Sequence, residues 1–238
     1  MRTAQDIIRD VRITQAPNGV CYTSVGEVTF PSADLEQLVA AVPKTIAAAL
    51  DRNAFYFVPL TVSEDDKTLV AERYDASLGE RAVCHRNIES GDSQCVFIST
   101  RLLDDKFSIA FEFYINVAHA FVDKAGISSE FADLVWKQAT DSVRGETSLD
   151  AFEFRKTALA EDGRIDEKAK SDYLNATFSD SIAVYMLSLF LDVDYYELRE
   201  REYPLLAPAA LAERLRKVAG LFPPNAGFNF NIFHRRRG

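Results

Sequence analysis

The sequence predicts an α+β protein in which a strand-rich part comes first and a helical part follows. Short runs rich in aromatic and β-branched residues, such as 53–62 and 93–100, are typical of strands. Longer stretches with helical periodicity occupy residues 101–220. Because the two kinds of element are segregated, the order favours α+β over repeated βαβ units. We expect a small, largely antiparallel sheet packed against a bundle of about five helices.

The strand-rich part, residues 1–100, contains one clear helical segment. Residues 31–51 have helical periodicity, and Pro43 should kink or split this helix because proline removes a backbone donor. A turn at 17–19 precedes a run with period-two character, and 68–88 is ambiguous between strands and turns.

The helical part, residues 101–220, divides at glycines, prolines and capping residues. The segment 166–203 has a predicted break near Asp192 to Asp194, and the tail 226–238 alternates like a strand. We find no linker rich in Pro, Gly or Ser, and therefore predict one domain over 1–238. The predicted helices are 102–126, 128–143, 148–160, 166–203 and 207–220.

Composition places the chain among soluble globular proteins of the cytoplasm. With 238 residues it is long enough to bury a core without disulfides or metal ions. No run of about 18 apolar residues predicts a membrane span, and the first residues lack the apolar region of a signal peptide. Only three cysteines are present, which favours reduced thiols over a secreted disulfide framework.

The net charge of −9 makes nucleic acid an improbable partner, since phosphate neutralisation supplies most of that affinity. Basic residues concentrate near the chain end, including His234 to Arg237, which we interpret as a solvated tail. Glycine-rich phosphate loops are absent, which argues against nucleotide binding through such loops.

The stretch FSIAFEFYINVAHAFVDKAG, residues 107–126, is apolar enough for a core but carries five polar side chains. On a helix these side chains share an arc of about 80°. The arc is either the solvent face of an amphipathic helix or the lining of a cleft, where polar groups must be hydrogen-bonded or bind a ligand. The five residues are Ser108, Glu112, Asn116, His119 and Asp123.

The same helix suggests a metal site as an alternative. His119 and Asp123 have the i, i+4 spacing that places two ligands on one face, and Asp180 on the later helix is polar among apolar neighbours. Zinc accepts one histidine and two carboxylates, and Glu112 would then act as the catalytic base. This faintly resembles the helix pair of zinc peptidases, with Ala120 at the position of their general base.

Other candidate chemistry has weaker support. Cys84 and His85 are adjacent, so that in a strand they would point to opposite faces and could not form a nucleophile–base pair. Cys95 lies in a strand-like run and is interpreted as a small buried hydrophobe. The strip 192–203 is acidic and rich in tyrosine, which is typical either of a solvated helical face or of a protein-contact surface.

We therefore predict a module that binds a small molecule, a peptide or a protein partner, with a cleft beside helix 107–125. The ligand-binding candidates are Ser108, Asn116, His119 and Tyr185. Contact with a second copy of the chain is a further prediction for the acidic strip. The alternative is a metal-dependent hydrolase, or its inactive descendant, with Glu112 as the catalytic residue and a zinc ion bound by His119, Asp123 and Asp180.

Overall fold

The structure is a computed structural model of the whole chain that divides into two compact units. The first unit is 1–117 and the second is 118–238. The prediction of a single domain stays a prediction. The residues described are 1–27, 31–73, 83–100, 106–159, 164–198 and 202–233.

All of the described strands lie in the first unit, which confirms the predicted α+β arrangement of strands first and helices second. Three short helices accompany them: α1 (Ala4–Asp10), α2 (Ser32–Ala40) and α3 (Lys44–Ala47). The strands are β1 (Arg2–Thr3), β2 (Thr14–Gln15), β3 (Cys21–Ser24), β4 (Asn53–Val58), β5 (Leu60–Val62), β6 (Thr68–Val70), β7 (His85–Ser90) and β8 (Ser93–Ser99).

The described strands form two sheets where we predicted one, and four of their six pairs are antiparallel, in agreement with the predicted largely antiparallel pairing. The smaller sheet has the order β1-β6-β5 and is antiparallel, and the larger has the order β2-β3-β4-β8-β7. In the larger sheet the central pairs β3–β4 and β4–β8 are parallel, whereas both outer pairs are antiparallel. Parallel neighbours need a crossover connection, and the helices α2 and α3, split at Pro43 as predicted, supply it between β3 and β4.

The central strands of the larger sheet are buried on both faces because successive side chains point in opposite directions. On one face Tyr56 stacks on Phe97 at 4.6 Å in a cluster that includes Ile7 of α1. On the other face Phe57 packs against Phe113, 5.4 Å between ring centroids. Burial of each such side chain contributes roughly 1.5–3 kcal/mol.

The described residues after 100 contain five α-helices, which is the predicted number, with bounds close to the predicted ones except at the end of the fourth. The first of them, α4 (Lys106–Ala125), begins in the first unit and ends in the second. The predicted break near Asp192 is confirmed, because the fourth helix ends at Phe190 and a separate 3₁₀ turn, Tyr195–Leu198, begins after it. The other helices are α5 (Ser129–Thr140), α6 (Leu149–Ala158), α7 (Glu167–Phe190) and α8 (Pro208–Leu221).

Helix α7 forms the centre of the second unit. Its residues from 177 to 187 are all buried, as expected of a helix surrounded by other elements. Asp166 caps its first turn by accepting a hydrogen bond from the Ala169 backbone N–H, 3.0 Å away. Phe178 packs against Phe131 of α5 at 4.7 Å between ring centroids.

The strand predicted for the tail does not form in its described part, 226–233. A strand needs a neighbour to satisfy its backbone groups, and alternation of apolar residues alone does not supply one. Instead Phe230 packs edge-on against Tyr185, 5.1 Å between ring centroids. The remainder of the tail, including His234 to Arg237, lies outside the described residues.

Candidate ligand site around His85 and Glu112

The polar stripe predicted on helix 107–125 lies on α4, but its members have different surroundings. Asn116 is buried, Ser108 and Glu112 are partly exposed, and His119 and Asp123 are exposed. The stripe is therefore neither a continuous solvent face nor a continuous buried lining. Glu112, in the middle of the stripe, is hydrogen-bonded to a residue that lies outside α4.

That residue is His85, the first residue of β7. In the sheet His85 is paired with Ile98, which is paired with Phe57, so the three side chains share one face. Because Phe57 packs on Phe113 of α4, this is the face that meets the helix. The register of the sheet thus places the imidazole beside the residue that precedes Phe113, which is Glu112.

His85 and Glu112 form a close hydrogen-bonded pair, with 2.5 Å between His85 Nδ1 and Glu112 Oε1. The side chain of Glu112 is 17% exposed and that of His85 is 42% exposed. We assign the Nδ1 proton as donated to the carboxylate, since an ionised carboxylate only accepts. The second ring nitrogen, Nε2, is left to donate or to accept a hydrogen bond, according to the protonation state of the ring.

Asn116, one turn further along α4, holds the other side of Glu112. Its Nδ2 donates to the Glu112 carbonyl oxygen at 2.8 Å and to Oε1 at 3.1 Å. Asn116 is only 7% exposed. Its bond and the bond from His85 both end on Oε1, which fixes the rotamer of Glu112 from two directions.

These three residues, which we call the His85 cluster, retain unused hydrogen-bonding atoms. Within the described part of the chain, no partner contacts His85 Nε2, Glu112 Oε2 or Asn116 Oδ1. Buried polar atoms are usually satisfied by protein or by ordered water. The His85 cluster is therefore a place where a ligand could complete the hydrogen bonding.

The neighbouring thiol of Cys84 is not activated. Burial raises its pKa, and the negative charge of Glu112 raises it further. A reactive cysteine needs a lowered pKa, so this environment agrees with the sequence-based argument against a Cys84–His85 nucleophile pair. The described structure has Cys21, Cys84 and Cys95 as free thiols.

The three predicted zinc ligands do not come together. Among the described residues, no three His, Cys, Asp or Glu side chains are grouped so that they could hold a metal ion. His119 and Asp123 are exposed on α4, whereas Asp180 is buried in α7. The spacing on α4 is compatible with two ligands, but a third needs the tertiary structure to supply it.

Asp180 is instead bonded to hydroxyl groups. Thr147 Oγ1 donates to Asp180 Oδ2 at 2.7 Å, and the Ser148 side chain also hydrogen-bonds to the carboxylate. Burial raises the pKa of Asp180 to about 6, although these two hydrogen bonds and the charge of Arg214 partly oppose the shift. Its polar character among apolar neighbours thus reflects a buried hydrogen-bond site.

Tyr185, predicted to bind a ligand, is part of the core of the second unit. Its hydroxyl donates to the Phe222 carbonyl oxygen at 2.7 Å, and its ring packs against Phe230. Burial raises the pKa of this hydroxyl. The side chain therefore has its polar atom and its ring already engaged within the protein.

The acidic, tyrosine-rich strip 192–203 is described at 192–198 and 202–203, and these residues are only partly exposed. The hydroxyl of the buried Tyr203 donates to the Thr147 carbonyl oxygen at 3.0 Å. The Tyr195 hydroxyl donates to the Leu206 carbonyl oxygen at 2.8 Å. Tyr196 is exposed over 54% of its surface. Use of this strip as a contact surface for a partner or a second copy stays a prediction.

The sequence analysis missed a buried charged network in the second unit. Glu146, which has no exposed surface, accepts hydrogen bonds from Arg155 at 2.9 Å, from Arg214 at 3.0 Å and from Tyr173 at 2.7 Å. Arg214, also fully buried, donates through Nε to Gln138 at 2.8 Å. All of these charges are paired, so the network is best interpreted as structural.

A groove of about 360 Å³ lies beside α5 and α8 in the second unit. Its lining combines alanines of the α8 start with Lys137, Gln138, Asp141 and Glu213. Lys137 is paired with Asp141, and Gln138 with Glu213, so these polar groups already have partners. None of the lining residues belongs to α4, and the cleft predicted beside helix 107–125 stays a prediction.

Comparisons with known proteins add no family, because no family model, curated protein or solved structure matches this chain. Among the described residues, no helix combines the length and the apolar character needed to cross a membrane. The cytoplasmic location inferred from the cysteines stays a prediction.

Proposed function

We propose that the protein is a binding module whose ligand site is the His85 cluster. The observation that carries this proposal is the set of three unused polar atoms on neighbouring side chains, one of which belongs to the buried Asn116. A ligand that bonded to them would remove the cost of leaving the acceptors of the buried Asn116 and the largely buried Glu112 unpaired. The proposal keeps Asn116 from the predicted site and adds His85.

The fold supports this proposal because rigid elements hold the His85 cluster. Two of its residues lie one turn apart on α4, and the third lies on a strand whose register is set along the whole of β8. Sites on helices and strands are held more precisely than sites on loops. The pairs that His85 and Asn116 form with Glu112 also orient the carboxylate before any ligand arrives.

The alternative, a metal-dependent hydrolase or its inactive descendant, has less support. It needs His119, Asp123 and Asp180 in one site, and these residues do not form a group in the described structure. Glu112, its proposed base, is already held by His85 and Asn116.

The test is a binding screen with matched variants. A fragment set containing cationic, anionic and neutral compounds is titrated against the wild type, Glu112→Gln and Asp123→Asn by NMR. Both changes neutralise a carboxylate on α4, but only Glu112 belongs to the His85 cluster. We expect compounds whose binding is lost in Glu112→Gln and kept in Asp123→Asn. A screen in which no compound distinguishes the two variants contradicts the proposal.

A further inference from the structure

We infer that the His85 cluster binds a positively charged nitrogen group, either an ammonium or a guanidinium. This inference rests on the function proposed above and specifies the chemical class of its ligand. It follows from the charge of Glu112 and from the kind of atoms that the cluster leaves unused.

In the described part of the chain, Glu112 has few partners that carry a positive charge. Its side chain is largely buried, and within the described residues its ion-pairing partner is His85, with no lysine or arginine. His85 and Asn116 both bond to Oε1, and Oε2 is left without a hydrogen-bond partner among the described residues. A largely buried carboxylate oxygen without a partner is costly, so a positively charged group that donates hydrogen bonds would be stabilised there. The upward effect of Glu112 on the Cys84 pKa has the same electrostatic origin.

The unused acceptors of the cluster also favour a positively charged nitrogen group. Glu112 Oε2 and Asn116 Oδ1 are both acceptors, and they belong to side chains on consecutive turns of α4. Ammonium and guanidinium groups carry several donors and no acceptor, which complements two such oxygens. An anion would be repelled by the carboxylate charge, and an apolar group would leave both acceptors unpaired.

Such a nitrogen group occurs in free amines and in the lysine and arginine side chains of peptides. The experiment therefore titrates methylguanidinium and propylammonium, with acetate and propionamide as the anionic and neutral comparisons. A second arm uses a short extended peptide with a central arginine and the same peptide with glutamine at that position. Tighter binding of the arginine peptide than of methylguanidinium identifies a peptide source, and equal binding identifies a free cation.

Three variants and a control are measured at low salt. We expect Glu112→Gln to weaken cation binding about tenfold or more, the size of a lost charge-assisted hydrogen bond. Asn116→Leu should weaken it by removing the second acceptor. His85→Lys should abolish it, because the lysine ammonium would pair with the Glu112 carboxylate in place of the ligand; the His85 side chain is 42% exposed. Asp123→Asn is the control and should bind as the wild type does.

The outcomes separate the inference from the proposed function. If acetate or propionamide binds as strongly as the cations, and this binding depends on Glu112, the inference is overturned and the proposed binding site stays in place. If every compound binds Glu112→Gln and His85→Lys as it binds the wild type, both the inference and the proposed function are overturned. If Glu112→Gln does not fold, judged by circular dichroism, His85→Lys alone decides the question.

Discussion

At the scale of single residues, the clearest lesson comes from Asp180. The sequence marks it as a polar residue in an apolar helix, which correctly indicates a specific partner. It does not identify the partner, because Thr147 lies 33 positions away and no helical periodicity connects the two. The zinc interpretation of His119, Asp123 and Asp180 stays a prediction; the described residues hold no group of three metal ligands, and side chains on different helices meet only when packing brings them together.

Asp180 should make the stability of the protein depend on pH. Burial raises its pKa from the ordinary value of 3.8 to about 6, so the folded state binds this proton more tightly than the unfolded state. The resulting stabilisation is fully present below the ordinary pKa and is lost as the pH rises through about 6. The shift corresponds to roughly 3 kcal/mol.

Urea unfolding of the wild type and Asp180→Asn, from pH 3 to pH 8, measures this effect. We expect the free energy of unfolding of the wild type, relative to the variant, to fall by roughly 3 kcal/mol over that range. The exposed Asp123→Asn variant controls for general charge effects. A constant difference between wild type and Asp180→Asn would show that this carboxyl titrates normally.

Two glycines with positive φ offer a matched pair of substitutions. At Gly145, φ is +84° and an added Cβ would lie 2.2 Å from the Leu205 carbonyl oxygen. At Gly126, φ is +71° and no neighbouring atom lies within 4 Å of an added Cβ. Gly126→Ala should cost only about 1–2 kcal/mol for the left-handed backbone, whereas Gly145→Ala adds a backbone clash and should be much more destabilising.

Thermal unfolding of the two alanine variants checks this prediction. The expected order of melting temperature is wild type, then Gly126→Ala, then Gly145→Ala by a wide margin. Equal losses would mean that the chain around Gly145 can move away from Leu205 at little cost.

At the scale of elements, helices were easier to predict than strands and their pairing. The positions of α4 to α8 follow from periodicity and from glycine and proline positions, which are local signals, although α7 ends at Phe190 well before the predicted 203. The helix α1 was missed because it has only seven residues, although Thr3 and Asp6 form a capping box at its start. Parallel pairing of β4 with β8 was missed because it joins strands distant in sequence.

The buried network around Glu146 links the elements of the second unit and yields a prediction at this scale. Arg214→Met on α8 leaves Glu146 with Arg155 and Tyr173 alone and removes the donor to Gln138. Breaking a buried ion pair by removing one partner costs about 3–5 kcal/mol. Urea unfolding of the variant should show a loss of that size.

The control for Arg214→Met is Lys217→Met on the same helix. Lys217 pairs with Glu130 at 2.5 Å, but this pair lies at the surface, where solvent screens the interaction. The melting temperature of Lys217→Met should therefore stay close to that of the wild type. Comparable losses in the two variants would mean that the Glu146 network contributes no more than a surface ion pair.

At the scale of the whole molecule, the predicted metal content distinguishes the two functional interpretations. Because the described residues provide no group of three metal ligands, we expect sub-stoichiometric zinc in protein purified without chelator. Added zinc or chelator should leave the melting temperature of the wild type and of Asp123→Ala unchanged. One zinc per chain that disappears in Asp123→Ala would restore the hydrolase interpretation.

Periodicity and capping, which act over a few residues, were enough to predict the α+β class, the order of strands and helices, the positions of the long helices and the polar stripe on α4. Three contacts could not be predicted in this way: Glu112 with His85, Asp180 with Thr147, and Glu146 with Arg214. Each of these pairs joins separate elements, and its geometry depends on strand register and helix packing.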